Sequence, residues 1–156
     1  ASLYLGSSTG LSTGAAWTAE GEQTNAQLGY SVASAGDVNG DGYDDVLVTA
    51  SGFDYGQVDE GRAYLYLGSD AGLEPIAAWA EPSDQTGALL GRSIASAGDV
   101  NGDGYADVLV DAQAYDSGQD DEGAAFVFHG SASGVADGTP ATAAARWPAP
   151  RTCRSW

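Results

Sequence analysis

One phrase occurs twice in this chain. Asp37–Val48 reads DVNGDGYDDVLV and Asp99–Val110 reads DVNGDGYADVLV, in each case an oxygen-rich loop running into an apolar, β-branched run. The same offset of 62 residues carries Ala1–Ser7 onto Ala63–Ser69 and Trp17 onto Trp79. A fixed period of this length marks a stacked or circular repeat architecture, in which each unit buries its faces only against its neighbours.

Composition narrows the class. With 43% hydrophobic residues in 156, the chain is long enough and apolar enough for one sizeable core. Lys is absent and Gly occurs 23 times, which suits tight turns between short strands and suits long helices poorly. The expected class is all-β. The balance of 22 acidic against 5 basic residues gives a formal net charge of −17, which argues against nucleic acid and against an anionic membrane surface as partners. Cations are the natural partners. Cys153 is the only cysteine, so no intrachain disulfide is available and the repeats must be held by packing and metal. There is no initiating Met, no basic-then-apolar leader and no membrane-length apolar run, so the expectation is a processed or excised segment without membrane insertion.

A unit can be traced from Leu28. Residues 30–35 read as a first strand, the loop follows, and Val46-Leu47-Val48 forms a second strand that is apolar on consecutive residues. Both of its faces must therefore be covered, as in a sheet sandwiched between two others. Residues 63–67 give a third strand, ended by Gly68-Ser69, and residues 77–80 a fourth, outer one anchored by Trp79 before Pro82. Four short antiparallel strands per unit fit a β-propeller blade. On this division 1–27 is a half blade supplying third and fourth strands, 28–89 one blade and 90–140 a second, about two and a half blades in all. At the fixed offset Ala141 stands where Trp79 would recur, and Arg146, Arg151 and Arg154 crowd into the last residues, so 141–156 is set apart as an aberrant tail.

The chemistry sits in the repeated loops. Asp37, Asn39, Asp41, the carbonyl of Tyr43 and Asp45 occupy positions 1, 3, 5, 7 and 9; Asp99, Asn101, Asp103, the carbonyl of Tyr105 and Asp107 do the same. Hard oxygen donors at alternate positions wrap a tight loop around one ion, and calcium accepts such a flexible oxygen set where Mg²⁺ demands near-octahedral geometry. The expectation is two Ca²⁺ sites per chain that behave alike. An EF-hand is excluded, because position 12 is Val48 or Val110 rather than Glu and a β-branched run follows instead of a helix. A single Asn-Gly-Asp-Gly is also a good hairpin turn. Two copies keep every oxygen-bearing position while Asp44 becomes Ala106, which favours a ligand set and leaves Asp44 outside it.

These residues carry a family resemblance. Leu28-Gly29 through Leu67 and Leu90-Gly91 through His129 resemble FG-GAP repeats, the calcium-binding blades of the integrin α-subunit amino-terminal β-propeller and of related bacterial surface proteins. The Phe-Gly of the motif is Leu28-Gly29 and Leu90-Gly91; its Gly-Ala-Pro is Thr49-Ala50-Ser51 and Asp111-Ala112-Gln113. The resemblance implies calcium in the hairpin between the first two strands of each blade, a ring of usually seven blades, and a role in adhesion or ligand binding.

Other residue groups point to less. Asp59-Glu60 and Asp120-Asp121-Glu122 precede the third strand and read as solvated acidic turns rather than paired catalytic carboxylates. His129 ends an apolar strand, and no Ser, Cys or second His completes a nucleophilic constellation. Tyr4, Tyr64, Tyr66, Trp17 and Trp79 read as blade-packing residues, with a sugar-stacking platform as the alternative. The expected protein is a non-enzymatic, extracellular or cell-surface scaffold with a protein or glycan ligand. Open blade faces further predict a homo-oligomer that completes a ring.

Overall fold

The computed structural model describes residues 1–135, 138–143 and 145–148, and every described regular element is a strand. The first 27 residues supply four two-residue strands: β1 (Ser2–Leu3), β2 (Gly6–Ser7), β3 (Gly10–Leu11) and β4 (Trp17–Thr18), with β1 paired to β4 and β2 to β3. Two four-stranded antiparallel sheets follow. The first runs in the order β5 (Leu28–Gly36), β6 (Asp45–Ala50), β7 (Arg62–Tyr66), β8 (Trp79–Pro82); the second runs from β9 (Leu90–Gly98) through β10 (Asp107–Ala112) and β11 (Ala124–Phe128) to β12 (Ala145–Pro148). Each sheet is a meander, the form of a propeller blade.

Register confirms the repeat at the level of single pairs. Leu3 faces Trp17 across β1 and β4 as Leu65 faces Trp79 across β7 and β8. In the second sheet the partner of Val127 is Ala145, four residues beyond the place that a fixed offset of 62 gives. The connection from β11 to β12 is longer, and so a strand lies inside the stretch set apart as a tail. Arg146 anchors it, its guanidinium 4.9 Å from the ring of Tyr115 and donating to Ser117 Oγ. Cys153, Arg151 and Arg154 lie outside the described residues.

The core sits between the two sheets, because side chains alternate across each strand and one face of each sheet meets the other. Leu47, Leu65 and Trp79 from the first pack with Ile94, Val108, Val110, Phe126 and Phe128 from the second, and Trp79 meets Phe128 at 5.1 Å between ring centroids. Sheet also touches sheet through main chain. Thr49 Oγ1 donates to the Gly91 carbonyl at 2.6 Å, and a Cβ on Gly91 would collide with the Thr49 side chain at 2.5 Å. Only glycine allows this approach, and φ at Gly91 is +83°. On the other face of the first sheet, an apolar cleft of about 600 Å³ separates it from β1 and β4, lined by Leu3, Trp17, Leu28, Val32, Val46 and Val48.

Candidate metal centre

Each repeated loop is the hairpin between the first two strands of its sheet, closed where Gly36 pairs with Asp45 and Gly98 with Asp107. The loop is shaped by its first carboxylate. Asp37 Oδ1 accepts the amides of Gly40 (2.7 Å) and Asp41 (3.0 Å), and Oδ2 accepts that of Gly42 (2.9 Å). Asp99 does the same toward Gly102 (2.7 Å), Asp103 (3.0 Å) and Gly104 (2.8 Å). Asp41 Oδ1 accepts the Tyr43 amide, Asn39 Nδ2 donates to Asp41 Oδ2 at 2.8 Å, and Asn101 and Asp103 repeat that bond at the same length. The side chains at positions 1, 3 and 5 are thereby drawn into one turn.

Position 9 is held differently. Asp45 is fully buried; its Oδ2 accepts the Val38 amide and its Oδ1 the Gly68 amide, both at 2.8 Å. Asp107 accepts from Val100 and Gly130 in the same way. These residues tie the loop to the end of the third strand, and the tie explains why Gly68 and Gly130 stand at a constant spacing after them. Burial pushes the Asp45 carboxyl above its ordinary range, the two amides oppose this, and the charges of Asp41 and Asp37 add to the rise. At the exposed Asp99 the Gly104 amide leads in holding the carboxyl below its ordinary range, with desolvation opposing it.

The donor chemistry fits a hard divalent cation: every donor is oxygen, and the carboxylates of Asp37 and Asp41 lie near enough to Asp45 to act on it. Among the described residues, no three His, Cys, Asp or Glu side chains converge into a finished cage. Many of the oxygens are bonded to the loop's own amides instead. The Asp44 side chain is exposed and takes no part in its loop's hydrogen bonds, and Ala106 has no polar side chain to do so.

Before the third strand Asp59, Asp120 and Asp121 are exposed as expected, and Glu60 departs from expectation. Glu60 is buried rather than solvated, its Oε1 gathering the amides of Tyr55, Gly56 and Gln57 at 2.5, 2.6 and 3.2 Å. It caps its loop from inside. Trp17 packs on Tyr66 at 4.7 Å and Trp79 on Phe128, as blade-packing residues should, whereas Tyr4 is exposed. Sequence reading passed over Gln23 and Gln85, one period apart, each holding the next unit's loop through two main-chain bonds, to Asp54 and to Asp116.

The family model for the FG-GAP repeat matches residues 28–66 and 90–128, which are the first three strands of each sheet with its loop. The chain belongs to the FG-GAP repeat family. Its units are β-propeller blades. Human integrin alpha-7 is 38% identical over 119 residues, covering 74% of this chain and 9% of that protein. Integrin alpha-5 of Xenopus laevis is 39% identical over 120 residues (74% and 11%), and integrin alpha-PS2 of Drosophila melanogaster 37% over 123 (73% and 8%). The chain therefore spans about a tenth of the length of these curated relatives. No helix among the described residues is long and apolar enough to cross a membrane.

Proposed function

We propose that this chain is part of a calcium-stabilised, non-enzymatic β-propeller that serves adhesion or interaction at the cell surface or outside the cell. The observation that carries this is the paired loop: Asp37, Asn39, Asp41, Tyr43 carbonyl and Asp45, and their counterparts Asp99, Asn101, Asp103, Tyr105 carbonyl and Asp107, keep one donor set and one internal bonding pattern. A bound Ca²⁺ supplies the positive charge that offsets the carboxylates. Asp37 and Asp41 would hold such an ion through their carboxylates, while Asp45 keeps the loop fastened to the third strand. The integrin alpha relatives support the adhesion part of the reading.

With a dissociation constant of roughly 10⁻⁴ M and about 1 mM free ion, each site adds on the order of 1.4 kcal/mol to stability. Calorimetric melting in calcium and in excess chelator tests this. The expected result is a higher melting temperature in calcium, and identical curves would refute calcium stabilisation.

A glycan ligand is the second reading, favoured by a cleft of about 300 Å³ lined by Glu20, Glu22, Arg62, Tyr64 and Ile76. Arg62 lies over the Tyr64 ring of this cleft at 5.3 Å, and over Tyr55 and Phe53, outside its lining, at 4.8 and 5.4 Å. Aromatic faces beside carboxylates and a guanidinium suit sugar hydroxyls and ring faces. A glycan array with wild type and Arg62→Ala decides it: binding lost in the variant supports a sugar site, and no binding by wild type removes the reading.

A further inference from the structure

The two metal loops are identical in sequence from Asp37 to Tyr43 and from Asp99 to Tyr105, yet they stand in different surroundings. Val38 is fully buried, whereas Val100 is 57% exposed. The difference is made by the second blade. The Ala106 amide donates to the Asp37 carbonyl at 2.9 Å, and the Ser131 amide to the Val38 carbonyl at 3.1 Å. The Tyr105 ring lies against Gly40, so closely that a Cβ there would sit 2.7 Å from a ring carbon. A Cβ at the equivalent Gly102 would meet nothing within 4 Å, and among the described residues no main-chain bond reaches the carbonyls of Asp99 or Val100 from another unit.

We infer that Tyr105, with the amides of Ala106 and Ser131, is a clamp by which the second blade preorganises the first blade's calcium loop. The inference rests on the reading that these loops take calcium. A loop already held in one shape loses less conformational freedom when its oxygens close on an ion, and a partly covered loop screens the attraction less. Tyr105 thus has two parts: its carbonyl belongs to the second loop's donor set and its ring positions the first. Coupling of this kind is reciprocal, so calcium in the first loop tightens the stacking of the two blades.

Each loop can be read alone in the whole chain. Asp103→Asn, which keeps an oxygen to accept the Tyr105 amide, disables the second loop and leaves the first to be titrated with calcium by calorimetry; Asp41→Asn does the reverse. In the Asp103→Asn background, Tyr105→Ala should weaken the first loop by about tenfold, and Tyr105→Phe, which keeps the ring, should restore it. Hydrogen exchange at the Asp41 and Gly42 amides of the metal-free protein should quicken in Tyr105→Ala alone.

A second pair guards against misfolding of the tyrosine variants. Gly40 and Gly102 have φ of +76° and +78°, so Gly40→Ala and Gly102→Ala carry the same backbone strain and differ in the clash with Tyr105. Gly40→Ala should weaken its loop the more. Unchanged first-loop affinity in Tyr105→Ala, with Gly40→Ala and Gly102→Ala equal in effect, would overturn the clamp and leave calcium binding standing. An absence of calcium heat from either loop would overturn both.

Discussion

The carboxylates of Asp45 and Asp107 are engaged by the fold itself, each closing one amide of its own loop and one at the end of the third strand. The carboxylates at positions 1 and 5 bond only within the loop. The two kinds of position should therefore respond differently. Asp41→Ala or Asp103→Ala should remove one bound ion each by calorimetry, and Asp44→Ala, which copies Ala106, should remove none. A lower ion count for Asp44→Ala would contradict the ligand set. Asp45→Ala should in addition destabilise the protein in chelator, because two amides lose their partner; unfolding in urea should register a loss of about 3 kcal/mol. The alternation of oxygen donors was legible in the sequence because it is local. The second role of Asp45 was not, since its partner Gly68 is 23 residues away and nothing in either neighbourhood announces the bond.

Between elements, the sheets are joined by a few polar contacts set into an apolar core. Thr49 accepts the Ser31 amide at 3.1 Å and donates to Gly91 across the interface, so Thr49→Val leaves two main-chain groups without a partner. A loss of about 1 to 3 kcal/mol in urea unfolding is expected, and a neutral substitution would show that the contact between sheets adds nothing. One period later the residue is Asp111, on the face of β10 turned away from the first sheet, accepting the Ser93 amide at 2.6 Å. Burial pushes its carboxyl above the ordinary 3.8, against the Ser93 amide and the charge of Arg92. The folded state then holds the proton more tightly than the unfolded one. Its contribution to stability is complete below pH 3.8 and is lost as pH rises through the folded pKa. In chelator, the wild-type urea midpoint should fall more steeply over that window than that of Asp111→Asn, and parallel curves would show that Asp111 carries no such linkage. The strands themselves were readable from the Val-Leu-Val runs and the fixed offset. Strand β12 was not, because a four-residue longer connection breaks the period and leaves Ala145 where the period suggests Ala141.

For the molecule as a whole, the two faces of the first blade are finished to different degrees. Toward the second blade, Leu47 and Leu65 are sealed in the core. Toward β1 and β4 the sheet opens into the apolar cleft, where Val32 is 59% exposed beside Val46 and Val48. An open apolar cleft beside short strands favours association. We propose that the cleft recruits a second copy in calcium, which predicts a mass above 15.7 kDa by light scattering at micromolar protein. Val32→Asp places a charge in the cleft at a position already in contact with solvent, so it should return the chain to the monomer while leaving its circular dichroism and calcium binding unchanged. A monodisperse wild type of 15.7 kDa across the concentration range would show that the cleft recruits no second copy. Association that survives Val32→Asp would place the contact elsewhere, and the outward face of β10, with Leu109 half-buried between Asp107 and Asp111, is the next surface to alter.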